Sequence, residues 1–543
     1  MPGKRASPTL FDRADERAWR VPTSCRRTGR CRECIVEVTA GGEALGPRTE
    51  VERFLREPFR LACQATVTDP AVEVDFAVVR RRLQIVTGED PPHSGPIDPM
   101  TTVRDGIVHW GEEPVAPLRP GRTPHGIALD VGTTTVVLEL VDLGDGRTLE
   151  TVAIENPQRF GGSDVMNRIS YDGERPGELR YALRKALGDE LRALYARHGL
   201  DRRDVVEIVV VGNSTMRDLF FDLDVASIGE RPYRSLTEHE LLDGRRRTTA
   251  LTARAHELGL WAHPQARVWG APLVAGHLGA DVAADLVAAG AGDPDGPVTM
   301  LIDIGTNTEV VLSGRGRVLA ASCPAGPAFE GGEVTFGMPA AEGAIERVRL
   351  GGDGAFEVAT IGGGEPRGLC GSGLIDLLAE LRRGEMMTPK GVFAERAREL
   401  VIVPGAGITF SRADASALAQ AKAANIVGQQ ILLRELGVGP AEVDRVILAG
   451  GFARHIDLAA AIAIGFLAPV APERVVKLGN AALRGARALL LHAAARQRLE
   501  PLIARVEHVE LETTADFFDL LVDGCQFKPM RANAATPGAR AAA

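Results

Sequence analysis

The sequence predicts a multidomain α/β protein, with a small β-rich N-terminal module followed by two lobes of alternating strands and helices. Residues 1–76 form an arginine-rich block with four cysteines and short β-branched runs such as CIVEV and CQATV, which are typical of brief strands. From Gly126 onward, long apolar strands alternate with Ala/Leu-rich helical segments, the pattern of an α/β architecture. Within this α/β region the same strand–turn–strand plan occurs twice, which predicts two lobes of related structure.

The composition excludes several classes of protein. The chain has 543 residues, 45% of them hydrophobic and 25% charged, with a formal net charge of −9. The sequence has neither a basic half nor a long Lys/Arg block, so nothing in it suggests a nucleic-acid binder. Residues 1–19 lack the apolar core of a secretory signal, and the apolar runs fall short of the ~20 residues of a membrane span. The seven cysteines are odd in number and four of them cluster near one end, which does not suit a disulfide framework, so we expect a cytoplasmic protein.

The remaining boundaries are set by composition and by the repeat. Residues 77–125 contain GEDPPHSGPIDP and VAPLRPGRTP, which are loop-like, and we expect a linker there. The repeat divides the α/β region into a first lobe over 126–298 and a second lobe over 299–510. Residues 511–543 are expected to form a C-terminal strand and a disordered tail.

The cysteines of the N-terminal module have the spacing of a metal or cluster site. Sulfur is the soft ligand that zinc and iron–sulfur centres select. Zinc ribbons usually pair two close Cys knuckles, whereas a plant-type ferredoxin has Cys-x4-Cys-x2-Cys and a remote fourth ligand. The spacing here is Cys-x5-Cys-x2-Cys with one distant cysteine, which favours a 2Fe–2S cluster over zinc. The candidate ligands are Cys25, Cys31, Cys34 and Cys63.

The repeated plan centres on an Asp-x-Gly-Thr-x-Thr hairpin, found in GIALDVGTTTVVLEL and in TMLIDIGTNTEVVL. Glycine lets the backbone approach a phosphate, and threonine hydroxyls with successive N–H groups can donate to its oxygens. The aspartate at the strand end can hold Mg²⁺ through water. One copy is more often simple turn chemistry. Two copies in two halves, together with the Gly-Gly turn of LAGGFA, predict a magnesium–nucleotide site between lobes.

Residues 126–490 resemble the ATPase core shared by acetate and sugar kinases, heat-shock chaperones and actin. The resemblance implies two lobes that close around Mg-ATP, with Asp130 and Asp303 as the catalytic residues that hold Mg²⁺ or position water. The phosphate-binding and adenosine-binding positions that it implies are Gly132, Thr133, Thr134, Thr135, Gly305, Thr306, Asn307, Thr308, Gly450 and Gly451.

A ferredoxin-like module fused to such a core resembles the reductive activators of corrinoid-dependent methyltransferases. The match is carried by VPTSC…CREC, LDVGTTTVVLEL, NPQRFGGSDVMNRI, VVVGNSTM, LIDIGTNTEVVL, CPAGPAFEGG, GLCGSGLIDLLAEL, AKAANIVG, LAGGFA and KLGNAALRGA. It implies that the chain passes one electron from a 2Fe–2S cluster to inactive Co(II) and restores Co(I), using ATP to make the transfer proceed. The implied partners are a corrinoid protein, an upstream low-potential electron donor and, by resemblance alone, a second copy in a homodimer.

The chain departs from the family pattern at two places. Arg26 and Arg27 stand beside the first cysteine, where the family usually has glycines, and their N–H groups could donate to cluster sulfurs and raise the cluster potential. Only 24 residues precede Cys25, so the opening β-hairpin of the ferredoxin module is expected to be missing or shortened.

Two other functions fit the sequence. One is an ATP-dependent small-molecule kinase with a zinc-stabilised N-terminal module, which would require an acceptor pocket with a catalytic base. The other is a nucleotide-gated protein that binds a corrinoid without passing electrons. Bound iron and sulfide, as opposed to zinc, would argue against the kinase. Loss of function in a Cys31→Ser variant would argue against the binding protein.

Overall fold

The computed structural model describes residues 7–17, 19, 21, 23, 27–29, 34–79, 82–83, 95–451 and 453–531. Cys25, Arg26, Cys31 and the tail predicted to be disordered, over 532–543, lie outside the described residues. Among the helices of the described part, none combines the length and the apolar character needed to cross a bilayer.

The N-terminal module is a small antiparallel sheet with a helix. Its elements are α1 (Leu10–Glu16), β1 (Ile35–Ala40), β2 (Phe59–Leu61) and β3 (Asp75–Val78). β1 lies between the other two strands, so Val36 pairs with both Arg60 and Val78. A capping box at Thr9 begins α1, and the helix packs against the sheet through buried Leu10. Over 7–17, the module therefore has a capped helix in place of a hairpin.

The expected linker contains folded structure. Its strands are β4 (Arg82–Leu83), β5 (Thr101–Arg104), β6 (Ile107–Trp110) and β7 (Glu113–Pro117). β5, β6 and β7 form an antiparallel meander, so the linker prediction is wrong for 101–117. The turn between β5 and β6 is Asp105-Gly106, both with positive φ, which is a hairpin signal that the proline-rich flanks obscured.

A buried carboxylate anchors this meander to the first lobe. Glu207 is fully buried and accepts hydrogen bonds from Thr101 at 2.6 Å and from the Trp110 indole at 2.8 Å. Arg496 pairs with the same carboxylate at 2.6 Å. The charge is thereby compensated, as burial requires.

Two large mixed sheets, of seven and six strands, and two smaller sheets, of three and two strands, form the rest of the described structure. Besides β4, the strands of the first sheet are β8 (His125–Val131), β9 (Thr135–Asp142), β10 (Thr148–Glu155), β11 (Val205–Val211), β12 (Leu251–Arg254) and β13 (Arg267–Gly270). The later strands are β14 (Thr299–Ile304), β15 (Thr308–Gly314), β16 (Arg317–Cys323), β17 (Ala344–Leu350), β18 (Phe356–Thr360), β19 (Gly368–Leu369), β20 (Glu399–Val403), β21 (Ile408–Ser411), β22 (Arg445–Ala449), β23 (Val475–Gly479) and β24 (Val506–His508).

The two sheets share one plan. The order β13-β11-β8-β9-β10 in the first sheet corresponds to β23-β22-β14-β15-β16 in the second. In each, an antiparallel meander carries the Asp-x-Gly-Thr hairpin, and two parallel strands lie beside its first strand. The predicted two-lobed fold is confirmed.

Helices cover both sheets. Those that come after the first meander are α2 (Val165–Glu174), α3 (Glu178–Arg197), α4 (Ser214–Phe221), α5 (Leu236–Leu242) and α6 (Ala280–Ala289). Those of the second half are α7 (Gly371–Arg383), α8 (Arg412–Leu436), α9 (Leu458–Ala463), α10 (Ala481–Leu491), α11 (Ala493–Ile503) and α12 (Phe517–Gly524).

Two helices each pack on the sheet of the other lobe from the one that precedes them in sequence. α6 comes after the first sheet in sequence but packs on the second, through residues such as Leu286. α10 comes after the second sheet but packs on the first, through residues such as Leu489. The helices cross at Gly485, where a Cβ would lie 2.0 Å from the carbonyl oxygen of Ala284. Only glycine permits this approach.

Packing corrects two predicted boundaries. The second lobe expected over 299–510 is interrupted by α10 and α11, because their apolar faces are buried by the first lobe; β24 then returns to the second sheet beside β16. The C-terminal strand expected beyond 510 is instead α12, which packs on α8. FFDLLVDG is rich in strand-favouring residues, but Phe517, Leu520 and Leu521 recur at helical spacing.

Candidate functional site

A cavity of about 600 Å³ lies between the two lobes, where the hairpins face each other. Predicted residues line its walls: Asp130, Gly132, Thr133, Thr134, Thr135, Asp303, Gly305, Thr306, Asn307, Gly450 and Gly451. Thr308 differs from them, because it lies within the pairing of β15, is 1% exposed and does not line the cavity. The structure therefore collects the predicted nucleotide residues, apart from Thr308, in one cleft.

Close backbone approaches place the turns of the cleft. A Cβ on Gly132 would lie 2.6 Å from the carbonyl oxygen of Thr135, across the first hairpin. Gly450 has φ 105°, and a Cβ there would lie 2.1 Å from the carbonyl oxygen of Ile304. The Gly-Gly turn thus lies against the second hairpin, a position that glycine alone allows.

Two asparagines that sequence analysis missed hold the first hairpin and its strand. Asn213 caps α4 and donates from Nδ2 to Thr133 Oγ1 at 2.9 Å. Asn480 caps α10 and donates from Nδ2 to Asp130 Oδ2 at 3.0 Å. Each comes directly after a glycine that follows or ends a strand, in VVVGNSTM and VVKLGNAAL. The repeated Gly-Asn pair was therefore a usable signal.

The two hairpins meet across the cleft at Glu330, which belongs to CPAGPAFEGG. Thr134 Oγ1 donates to Glu330 Oε2 at 2.8 Å and lies 3.0 Å from Thr306 Oγ1. Thr306 donates to the same carboxylate oxygen at 2.5 Å. Burial raises the pKa of Glu330, while these threonine hydrogen bonds lower it. The hydroxyls that would grip a phosphate are thus bonded to an acidic side chain.

Aspartates at the two strand ends are crowded and poorly hydrated. Burial raises the pKa of Asp130 to about 7; the Asn480 hydrogen bond opposes this rise and the charge of Asp303 adds to it. Burial also raises the pKa of Asp303 to about 6. A cation between such groups would relieve both the burial and the repulsion.

Helix α6 adds acids that sequence analysis missed. Burial, with the charge of Asp303, raises the pKa of Asp281 to about 8 and that of Asp285 well above its ordinary value. Glu309, in β15, has its pKa raised by burial and then by the charges of Asp281 and Asp303. Asp281 and Asp285 stand four residues apart on an alanine-rich helix, a spacing that places them on one face. That pattern was visible in the sequence.

The cleft fits a Mg²⁺ ion bound largely through water. Carboxylate oxygens are the hard ligands that Mg²⁺ prefers, and the ion usually keeps several waters. No group of three or more His, Cys, Asp or Glu side chains is placed to hold a metal ion directly, as far as the described residues go. Asp130 and Asp303 would therefore hold a hydrated ion together with nucleotide phosphates.

Two of the four candidate cluster ligands lie in the described part of the module. Cys34 precedes β1 and Cys63 comes after β2, and both are buried. The Cys34 carbonyl oxygen accepts from the Ala62 N–H at 2.8 Å, so the two cysteine segments are adjacent. Gln64 Nε2 lies 3.3 Å from Cys63 Sγ. Buried thiols with an N–H donor at sulfur fit an iron–sulfur cluster, whose potential such bonds tune.

Arg27 holds the cysteine loop to α1. Its guanidinium donates to Asp12 at 3.2 Å and to Asp15 at 2.5 Å. It also lies over the ring of Phe11, 3.9 Å from the ring centroid. Both terminal nitrogens of Arg27 thus bond acidic side chains of α1.

Comparisons with known protein families match each part of the chain. A 2Fe–2S iron–sulfur cluster binding domain matches residues 6–68. The middle region of RACo matches 125–292, and the C-terminal domain of RACo, the ASKHA domain, matches 297–536. The match to the 2Fe–2S domain decides in favour of an iron–sulfur cluster over zinc. Together with the ASKHA domain match, it shows that the cofactors are a 2Fe–2S cluster and Mg-ATP.

Two curated relatives match across most of their length. The corrinoid activation enzyme RamQ of Eubacterium limosum is 30% identical over 431 residues, which are 74% of this chain and 70% of RamQ. The [Co(II) methylated amine-specific corrinoid protein] reductase of Methanosarcina barkeri is 25% identical over 425 residues, 72% of this chain and 75% of the reductase.

A solved structure has the same architecture. The reductive activator for corrinoid, iron-sulfur protein matches with a TM-score of 0.71 and 27% identity, over 96% of each chain. Its overlap therefore includes the ferredoxin module, the meander after it and both lobes. Because the cleft, the buried thiols and the order of the matched regions agree along one chain, this protein belongs to the RACo family.

Proposed function

We propose that this protein carries out ATP-dependent reductive activation of a corrinoid protein. It passes one electron from a 2Fe–2S cluster to an inactive Co(II) corrinoid and restores Co(I) for methyl transfer. One observation carries the proposal: the same chain has buried cysteine thiols in a ferredoxin-like module and a cleft lined by two hairpins that can bind phosphates. The names of the relatives, a corrinoid activation enzyme and a Co(II) corrinoid protein reductase, support the same activity.

The ferredoxin module holds the redox centre. A 2Fe–2S cluster bound by Cys25, Cys31, Cys34 and Cys63 would supply one electron at a reduction potential of about −400 mV. A Co(II) corrinoid below that potential leaves an unfavourable transfer, and each 100 mV of shortfall costs about 2.3 kcal/mol for one electron. The module alone therefore cannot drive the reaction far, and a second source of free energy is required.

The cleft supplies that free energy. In our proposal, Asp130 and Asp303 hold the hydrated magnesium ion and orient water, while the hairpin threonines and N–H groups bind the phosphates. Asn480 fixes the Asp130 carboxylate for this task. Nucleotide contacts that differ between two arrangements of the lobes shift the population toward one of them. The crossing of α6 and α10 is the point around which the lobes would move.

Two further partners belong to the proposal. The cluster must be re-reduced after each transfer, so a low-potential electron donor acts upstream. A homodimer is suggested by the family resemblance, and light scattering of the purified protein would test it.

The experiment combines metal analysis with cobalt spectroscopy. Anaerobically purified protein is assayed for iron, sulfide and zinc, then mixed in reduced form with a Co(II) corrinoid protein, with and without Mg-ATP. We expect iron and sulfide in equal amounts and Co(I) absorption only with Mg-ATP. Zinc with phosphorylation of a small molecule would favour a kinase. An intact cluster that leaves Co(II) unchanged at every nucleotide concentration would favour a nucleotide-gated binding protein.

A further inference from the structure

We infer that the coupling turn, residues 156–161, links the first phosphate hairpin to the ferredoxin module, with Asn156 as the residue that positions the hairpin. Nucleotide binding then alters how the ferredoxin module is held on the first lobe. The inference rests on the proposed function only in taking Mg-ATP as the ligand of the cleft.

One end of the coupling turn is bonded to the hairpin. Asn156 is fully buried and donates from Nδ2 to the Gly132 carbonyl oxygen at 2.8 Å. Its backbone N–H donates to the Thr134 carbonyl oxygen at 2.8 Å. Its Oδ1 accepts from the Gln158 N–H at 2.9 Å and so caps the 3₁₀ turn Pro157–Gly161. One side chain thus fixes both the hairpin and the start of the turn.

The other end of the coupling turn packs on the ferredoxin module. Phe160 is buried and makes edge contacts with Phe54, centroid to centroid 5.9 Å, and with Tyr171, 5.6 Å. The Tyr171 hydroxyl donates to the carbonyl oxygen of Phe54. Phe54 belongs to the module and Tyr171 to α2, so this aromatic group joins the two domains. Edge-to-face aromatic contacts and a buried hydrogen bond define one docked orientation.

Charged groups reinforce the same junction. Arg159, within the coupling turn, pairs with Glu37 of β1 in the module and with Glu155 at the end of β10. Arg56 of the module pairs with Glu174 of α2. Arg159 therefore contacts the module and the strand that leads into the turn at the same time.

The junction is incompletely packed. A cavity of about 290 Å³ lies between module residues near Phe54 and first-lobe residues near Arg175. Within the described residues, the buried side-chain amide of Gln158 has no hydrogen-bond partner. A buried unsatisfied amide costs free energy, so an arrangement of the turn that satisfied it would regain that free energy.

Entry of a nucleotide changes the hairpin that the turn holds. Thr134 bonds Asn156 through its carbonyl and Glu330 through its hydroxyl. Phosphates placed between the hairpins take the hydroxyl of Thr134 and repel the Glu330 carboxylate. The backbone of the hairpin and the turn bonded to it then adjust together, and the adjustment reaches Phe54 through Phe160.

Hydrogen exchange on the whole protein tests this route. Deuterium uptake is measured with Mg²⁺ alone and with Mg²⁺ and a non-hydrolysable ATP analogue. We expect the analogue to change uptake in residues 52–61 of the module, which the cleft does not touch, as well as in the hairpins. Analogue binding with unchanged uptake over 52–61 would overturn the inference and leave the proposed function intact. Failure of the analogue to bind would overturn both.

Two variants localise the effect. Tyr171→Phe removes only the hydroxyl that bonds Phe54, and we expect it to abolish the response over 52–61 while analogue affinity stays within about twofold of wild type. Tyr181→Phe, at a half-exposed position on α3, is the matched control and should respond like wild type. A normal response in Tyr171→Phe would overturn the route through the aromatic group.

Asn156→Asp separates positioning from folding. Aspartate keeps the oxygen that caps the turn but loses the Nδ2 donor to Gly132. We expect analogue affinity to fall at least roughly five- to tenfold, since one hydrogen bond is lost and a buried carboxylate oxygen faces the Gly132 carbonyl oxygen in its place, together with loss of the response over 52–61. Unchanged affinity with an unchanged response would show that Asn156 has no positioning role.

Discussion

At the scale of single side chains, the acidic residues of the cleft are the groups to which we assign the ATPase chemistry in our proposal. Asp303 lies at the centre of this group, because its charge raises the pKa values of Asp130, Asp281 and Asp285. The cleft is therefore built to favour a bound cation over empty, mutually repelling carboxylates.

Replacing Asp303 should abolish most ATP hydrolysis. In Asp303→Asn the side chain keeps its size but can no longer hold the magnesium ion by charge, and we expect kcat to fall on the order of 100-fold or more. Steady-state ATPase assays measure this. Asp353→Asn, at an exposed turn, is the control and should keep wild-type activity. The visible spectrum of the cluster should be the same in both variants.

A buried lysine gives a prediction about pH. Lys422 is buried in α8 and donates to the carbonyl oxygens of Gln526 at 2.9 Å and Gly465 at 3.3 Å. Burial lowers its pKa from 10.5 to about 8. The folded state thus holds this proton less tightly than the unfolded chain, so stability rises with pH between these two values, by at most about 1.4 kcal/mol per pH unit.

Denaturant titrations from pH 7 to 10.5 would measure this effect as the difference in unfolding free energy between wild type and Lys422→Met. We expect that difference to grow in favour of wild type above pH 8. Lys390→Met, at an exposed position, should show no such trend relative to wild type. A flat difference for Lys422→Met would contradict the lowered pKa.

Sequence reasoning found the residues of the cleft that lie inside a repeated motif and missed those that reach it from elsewhere. Asp130 and Asp303 were predictable because the hairpin occurs twice. Glu330 was not, since only the fold brings its loop between two threonines that are far away in sequence. Thr308 was predicted from the motif, but strand pairing buries it. A motif names the turn, whereas three-dimensional packing decides which side chains face the cleft.

At the scale of elements, the crossing of α6 and α10 holds the lobes together. Their backbones approach closely only because Gly485 has no side chain. Elsewhere in a helix a glycine is a liability, since alanine would lower the entropy of the unfolded chain and stabilise the helix.

Two glycine-to-alanine changes should therefore have opposite effects. Gly485→Ala places a methyl group against the Ala284 carbonyl and should lower unfolding free energy by about 1–3 kcal/mol, with weaker nucleotide binding because the lobes separate. Gly188→Ala, in α3 where a Cβ meets only a distant arginine nitrogen, should be neutral or stabilising by up to about 1 kcal/mol. Thermal unfolding and nucleotide titrations measure both. Equal effects would contradict the role assigned to the crossing.

Elements were predictable where local pattern and packing agree. The meanders of both lobes arise from long apolar strands around a repeated turn. Predicted domain boundaries were wrong where packing decides them. α10 lies in the sequence range expected for the second lobe, but its apolar face is buried by the first lobe. A C-terminal strand was expected within 511–543, yet α12 forms there; its aromatic and branched residues suit a strand, but contact with α8 selects the helix. Local propensity is a weak prior when tertiary contacts oppose it.

At the scale of the whole molecule, the redox module and the ATPase core have separate ligands and a shared junction. Loss of the cluster should therefore leave nucleotide binding intact. In Cys63→Ser we expect loss of the 2Fe–2S spectrum and of Co(II) reduction, with a thermal shift on adding Mg-ATP equal to that of wild type. Cys525→Ser, at a half-buried position in the C-terminal segment, is the control. Loss of the thermal shift in Cys63→Ser would mean that the module is required for the core to fold.

The most direct test of the central claim is anaerobic electron paramagnetic resonance of the reduced protein mixed with a Co(II) corrinoid protein. Spectra are taken without nucleotide, with Mg-ATP, and with Mg-ATP and the Asp303→Asn variant. We predict a reduced 2Fe–2S signal in every sample before mixing. Only for wild type with Mg-ATP should the Co(II) signal and the reduced 2Fe–2S signal then be lost together, because each cluster gives its one electron to one Co(II) and becomes oxidised. A Co(II) signal that persists in that sample, or that fades equally without ATP, would contradict ATP-driven reduction of the corrinoid.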